Sequence, residues 1–181
     1  MNTQRHNVFV SYHHANDQYY REEFEKLFSN IYDIMVSKSV KIGEIDPYLK
    51  TETIRQKIRD EYLRDTSVTV VLIGTETWKR KHVDWEIGAS IRNTQFNSRS
   101  GLIGIFLPSH PNYSGDKYNK CIIPPRLYDN VNCGFAKLYD WSVNPHTVQG
   151  WIHDAFINRN KINPDNSYDN FVNNRTSNGW C

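Results

Sequence analysis

Residues 74–86 read Gly-Thr-Glu-Thr-Trp-Lys-Arg-Lys-His-Val-Asp-Trp-Glu, and they gather most of the chemistry-bearing side chains of this 181-residue chain. His82 and Glu86 stand four residues apart, so on a helix they share one face, a turn from each other. Val83, Ile87 and Ile91 supply the neighbouring apolar stripe, which leaves Glu86 on the border between core and crevice. A carboxylate there can accept hydrogen bonds from sugar hydroxyls and stand beside a developing positive charge. The plainer alternative is a solvated helix glutamate paired with Lys79 or Arg80. Trp78 offers a flat aromatic face on which a base can stack, and Trp85 lies with Glu86 at the same edge of the expected sheet. Ser11, Tyr12 and His13 form a second polar group, and Asp46 a third. Tyr12 and Trp78 as core aromatics, and Asp46 as a turn residue, are the structural alternatives. The adjacent pair His13-His14 lacks a third partner at ligand spacing, so no metal site is expected. His14 and Asp17 read as capping residues of a helix.

The elements that must position these groups follow from periodicity. A short buried strand is expected over 7–12, then a helix carrying Tyr20, Phe24, Leu27, Phe28 and Ile31. A weaker strand over 40–45 ends at Asp46-Pro47, where the proline pushes Asp46 out of helical dihedrals. Thr51 is placed to cap a second helix bearing Ile54, Ile58 and Tyr62. Residues 67–73 are almost continuously apolar and β-branched, as a parallel strand covered on both faces requires, and Gly74 stops them. The helix of Glu86 comes next, then a strand over 101–107 closed by Pro108. Residues 108–136 read as loop-like, a stretch that is either functional or hides short elements, 137–141 read as a fifth strand, and Pro145 opens a last helix with Val148, Trp151, Ile152, Ala155 and Phe156.

Strands alternating with helices imply an α/β fold: a flavodoxin-like three-layer sandwich around a five-stranded parallel sheet of order 2-1-3-4-5. Ligands bind such sheets outside the carboxyl ends of the strands, near the switch point. That rule selects residues 11–17, 46–50 and 74–86. One domain over 1–160 is expected, with 161–181 as an Asn-rich C-terminal tail that packs loosely on it or frays.

Composition removes several function classes. Net charge is +2 with acids and bases interleaved, which gives no footprint for nucleic acid or an anionic membrane. Nothing approaches the roughly 18 apolar residues of a membrane span, and the N-terminus has no signal-peptide core, so a cytoplasmic location is expected. Three widely spaced cysteines, Cys121, Cys133 and Cys181, suggest neither a disulfide framework nor a zinc site. No dinucleotide fingerprint, P-loop, nucleophile elbow or H-E-x-x-H helix is present in the sequence.

The first strand ends Ser11-Tyr12-His13. Residues 66–74 read Thr-Ser-Val-Thr-Val-Val-Leu-Ile-Gly, and Thr77-Trp78 and Trp85-Glu86-Ile87 follow. This pattern resembles the TIR family, and within it the TIR-like proteins of Thoeris anti-phage defence, over about residues 7–107. The resemblance implies an enzyme that cleaves NAD between nicotinamide and ribose, with Glu86 as the catalytic carboxylate. Ser11, Tyr12, His13, Asp46, Trp78, His82 and Trp85 would then line the substrate site. NAD would be substrate rather than cofactor, and the product would be an ADP-ribose-derived second messenger, a cyclic isomer or a conjugate. Such a signal acts on a separate effector protein, and homo-oligomer assembly stays open. The rival reading is a non-catalytic TIR-like interaction module. A flavodoxin-like phospho-acceptor would need acidic strand ends, which Ser-Tyr-His and Gly-Thr do not supply.

Overall fold

The computed structural model describes residues 5–28, 34–36 and 48–181. Its elements run β1 His6–Ser11, α1 His14–Phe28, β2 Ile34–Val36, α2 Thr51–Lys57, β3 Val68–Ile73, α3 Lys81–Ser90, β4 Gly101–Phe106, α4 Pro125–Asn132, β5 Ala136–Asp140 and α5 Pro145–Asn158. The strands are hydrogen-bonded in the order β2-β1-β3-β4-β5, every pair parallel. Four of them hold five or six residues, whereas β2 contributes only three.

Period-two alternation sends Val8, Val10, Val68, Val70 and Leu72 to one face of the sheet. There they pack with Phe24 and Phe28 of α1 and Val148 and Ile152 of α5. Val71, Ile73, Leu102 and Phe106 face the other way, against Val83 and Ile87 of α3 and Leu127 of α4. Phe9 packs with Ile54 and Ile58, whose helical segment joins α3 on this second face. Ser11 is two residues beyond Phe9, so it too points toward α3. All six residues of β3 are buried, which explains their unbroken apolar run.

Several expectations need correction. The strand expected over 40–45, Asp46 with it, lies outside the described residues, as does Ile31. The second described strand is Ile34–Val36, before that segment. Thr51 is the first residue of α2 rather than its cap; the preceding Lys50 makes no side-chain cap bond. The helix then widens into a π-turn over Ile58–Tyr62. Of the two alternatives for 108–136, short hidden elements are what the structure shows: a 3₁₀ turn at Lys120–Ile122 and the helix α4, opened by Pro125.

The tail departs furthest from expectation. Cys121 and Cys181 form a disulfide with Cα atoms 5.2 Å apart. Trp180 donates its backbone N–H to Cys121 O at 2.9 Å and its indole N–H to Ile123 O at 2.7 Å. Phe171 is buried, and Arg175 N–H donates to Lys79 O at 2.8 Å. Residues 159–181 thus form a strap tied along the start of α3. Its polar composition reads as loose chain, yet those amides are the partners that the buried arginines Arg55 and Arg126 require. Because the disulfide closes a 60-residue separation, Cys181→Ser is expected to lower stability by about 2–4 kcal/mol. A thermal melt in non-reducing buffer reads it, and an unchanged melt would show that hydrogen bonds alone hold the strap.

Candidate functional site

The carboxyl ends of β1 and β3 meet the first two turns of α3. Ser11 closes β1, and its hydroxyl donates to Glu86 Oε2 at 2.5 Å. One turn earlier on α3, a His82 ring nitrogen lies 3.1 Å from Tyr12 O. Two contacts at helical spacing therefore pin α3 to the end of the first strand. Glu86 is 1% exposed, and burial pushes its carboxyl up to about 8, with the Ser11 hydrogen bond pulling the other way. The solvated alternative for Glu86 is thereby removed: Lys79 and Arg80 pair with Glu76 instead, at 3.0 and 3.5 Å.

A second buried carboxyl, passed over as a helix cap in the sequence, faces the end of β3. Asp17 in α1 is 3% exposed, and its Oδ2 accepts from Thr77 Oγ1 at 3.3 Å. Thr77 Oγ1 in turn accepts from Gly74 N–H at 2.8 Å. Burial raises Asp17 to about 6, offset in part by the Thr77 hydroxyl. The carboxylate lies directly on Gly74: a Cβ there would stand 2.2 Å from Asp17 Oδ2. Gly74→Ala is expected to cost about 1–3 kcal/mol through this overlap, and Asp17→Ala in the same chain to recover part of it. Equal losses with and without Asp17, in urea unfolding, would place the strain elsewhere.

His13 is buried and His14 partly so, and burial is the first cause holding both imidazoles below their ordinary value, His13 at about 4. His82 is likewise held at about 4, chiefly by burial. The His14 ring stacks on Tyr12 at 4.4 Å and meets His82 edge-on at 5.1 Å. Among the described residues, no group of three or more His, Cys, Asp or Glu is arranged to hold a metal ion. Among them too, no helix is long and apolar enough to cross a membrane.

Of the residues singled out in the sequence, Ser11, Tyr12, His13, His82 and Glu86 come together here. Trp85 does not join them. It packs with Phe9, Ile54, Ile58, Leu63 and Ala89, and donates its indole N–H to Phe171 O at 2.8 Å. Trp78 is buried, with Lys79 Nζ 5.5 Å from its ring centre. Asp46 lies outside the described residues. Asp17, His14 and Thr77 are the members that sequence reasoning underrated. The signal for Asp17 is its place in the first turn of the helix that follows the first strand.

The network is extended by the strap. Asn174 Oδ1 accepts from Lys81 N–H at 3.0 Å, capping the start of α3 from outside the helix. Asp84, on the next turn, pairs with Arg126 at 2.8 Å and accepts from Phe171 N–H at 3.1 Å. Glu86 thus sits on a helix fixed from the sheet on one side and from the C-terminal strap on the other.

A search of curated proteins returns no match to this chain. A family model described as "Thoeris protein ThsB, TIR-like domain" matches residues 9–112, more than half of the sequence. That span starts inside β1 and runs past β4, so it takes in Ser11, Asp17, Gly74, Thr77, His82 and Glu86. The shared span, together with the parallel α/β sheet and the polar cluster at its switch point, assigns this chain to the Thoeris ThsB TIR-like domain family.

Proposed function

We propose that the chain is a defence enzyme that cleaves NAD at the nicotinamide–ribose bond, with Glu86 as the catalytic carboxylate. The observation that carries this reading is Glu86 itself: a buried carboxyl bonded to Ser11 at the sheet's switch point. In the reaction the bond between ribose C1′ and the pyridinium nitrogen breaks, and its electron pair stays on that nitrogen. Nicotinamide leaves as a neutral base, so no general acid is needed for it. The demanding part is the oxocarbenium-like ribose, which an ionised Glu86 stabilises by its charge and through the ribose hydroxyls.

Glu86 is mostly protonated near neutral pH while sealed from water. Entry of a cationic pyridinium ring beside it favours the ionised form, so substrate binding itself prepares the carboxylate. A nucleophile then captures the ribose at C1′, any proton it carries passing to water: a group of the same ADP-ribose gives a cyclic isomer and a separate molecule gives a conjugate. Either product would be a second messenger for a separate effector protein. The sealing of Glu86 is also what favours the second reading, an interaction module in which this carboxyl only fastens α3 to β1. Mass spectrometry of small molecules from phage-infected cells separates the two. A new ADP-ribose species with the wild type and none with Glu86→Gln is expected. Its absence from both, with the protein folded and defence intact, would leave the module.

A further inference from the structure

Two imidazole nitrogens at the end of β1, His13 Nδ1 and His14 Nε2, are buried without a hydrogen-bond partner. Buried polar groups are nearly always paired, so neighbouring orphans call for an explanation. Their surroundings are aromatic: His14 stacks on Tyr12 with 17° between the ring planes, and His82 closes the corner edge-on. His82 stands one turn before Glu86 on the same face of α3. The cluster therefore gathers ring faces and two unpaired, buried nitrogens around His82, one helical turn from the carboxyl of the reaction centre.

We propose that Tyr12, His13, His14 and His82 form the subsite for the leaving group, a pyridinium ring bearing a carboxamide. The assignment rests on the NAD-cleaving reading and adds to it which part of the dinucleotide lies against α1. A carboxamide carries a donor and an acceptor, and two neutral imidazoles can meet both: one open nitrogen accepts from the amide NH₂, the other donates to the amide oxygen. A pyridinium needs electron-rich faces and no naked cation beside it. Burial, as the first cause, keeps the three histidines neutral at physiological pH. The nearest cations are engaged, Arg80 with Glu76 and Arg21 with Glu25. Glu76 adds negative charge near His13. When the glycosidic bond breaks, the ring loses its charge but keeps its carboxamide. The same walls that receive the cation then release a neutral amide.

Nicotinamide alone is the probe, titrated into the full-length protein near neutral pH by calorimetry or ligand-observed NMR. ADP-ribose, the other half of the substrate, is titrated in parallel. Millimolar or tighter binding of nicotinamide to the wild type is expected. His14→Ala should weaken it about tenfold or more, roughly the loss of one well-placed aromatic and polar contact. ADP-ribose binding by His14→Ala should stay within about twofold. His14→Gln, which keeps a polar atom without the ring, should fall between and guards against a folding artefact.

Loss of ADP-ribose affinity rather than nicotinamide affinity in His14→Ala would overturn the assignment and place the adenosine side here. Equal nicotinamide binding by all variants would also overturn it, as would no binding to the wild type at millimolar concentration. The outcomes separate the subsite from the NAD-cleaving reading on which it rests. A Glu86-dependent product without His14-dependent nicotinamide binding would sink the subsite alone. The reverse pattern would sink the catalysis and keep a nicotinamide-binding pocket.

Discussion

Glu86→Gln is expected to lower NAD turnover by about 10²- to 10³-fold, the usual loss when one charge-stabilising group leaves a water-excluded site, while making the folded protein more stable in alkaline buffer. The second effect follows from burial. Burial pushes the Glu86 carboxyl from an ordinary 4.5 to about 8, so between those values the folded protein holds a proton that the unfolded chain has released. Stability therefore falls as pH rises across that window, by about 1.4 kcal/mol per pH unit where the difference is complete. Glutamine cannot ionise, so the variant escapes this loss, and its advantage widens from pH 5 toward pH 8.

The histidines act in the opposite sense. Burial holds His13 and His82 at about 4 against 6.5 in the unfolded chain, so over about pH 4 to 6.5 the unfolded state binds more protons at these two sites and their contribution to stability rises with pH. Over about pH 4.5 to 6 the two histidines are balanced by Glu86 and by Asp17, which burial raises to about 6, and from there to 6.5 they exceed Glu86 alone. Wild-type melting temperature should therefore peak near pH 6.5, and Glu86→Gln should keep the acid limb while losing the fall above it. Turnover should behave differently from stability. Because the ionised carboxylate is the working form, kcat/KM should climb with pH toward about 8. The kcat profile should level off at lower pH, since the bound pyridinium lowers the pKa of Glu86. Parallel melting curves for wild type and Glu86→Gln would mean that the carboxyl is not desolvated in solution. Undiminished turnover by the folded variant would end the proposed mechanism.

Much of this arrangement is legible in the residue pattern because the central sheet obeys strong local rules. β3 announces itself as an unbroken apolar run, since both its faces are covered. The stripe Val83, Ile87, Ile91 fixes how α3 is rotated, and that rotation turns Glu86 and His82 toward β1. Trp85 shows the limit of the same logic. It neighbours Glu86 in sequence, but successive helical residues diverge by about 100°, so its ring enters the α2 side of the core.

Asp17 is harder to read. A carboxylate in the first turn of a helix usually serves the helix terminus, and only the bare Cα of Gly74 makes room for it at the end of β3. The strap is harder still. Its asparagines resemble those of a frayed tail, and nothing local reveals that Arg55 and Arg126 lie buried and in need of acceptors. The cysteines give no clearer signal, because a pair 60 residues apart becomes a bridge only once the tail has crossed α3. α4 escaped notice for a related reason: it is eight residues long and set among turn-forming prolines and asparagines.

The ion pair beneath the strap should give the largest stability effect in the molecule. Arg126 and Asp84 are 1% and 3% exposed, joined at 2.8 and 3.3 Å. Arg126 also donates to Asn166 Oδ1, Tyr168 O and Asn170 Oδ1, all in the strap. Asp84→Ala leaves those neutral acceptors in place but removes the counter-charge of a buried guanidinium, which is expected to cost about 3–5 kcal/mol. Asp84→Asn keeps an acceptor and should cost less. Replacing both partners, as Asp84→Leu with Arg126→Met, should cost less than the sum of the single losses, because no buried charge is then stranded. Urea unfolding reads these differences. Hydrogen exchange reads their place, since Phe171 N–H loses its acceptor Asp84 Oδ2 and should exchange first. Loosening the strap also frees Asn174 from Lys81 N–H, the cap at the start of α3, so the turn carrying His82 frays and its hold on Tyr12 O weakens. NAD turnover should fall in Asp84→Ala although Asp84 touches none of the residues that line the site. A stability loss under about 1 kcal/mol, the scale of an exposed ion pair, with unchanged exchange at Phe171, would show that the strap is held without this pair. The disulfide to Cys121 and the bonds of Trp180 would then carry it.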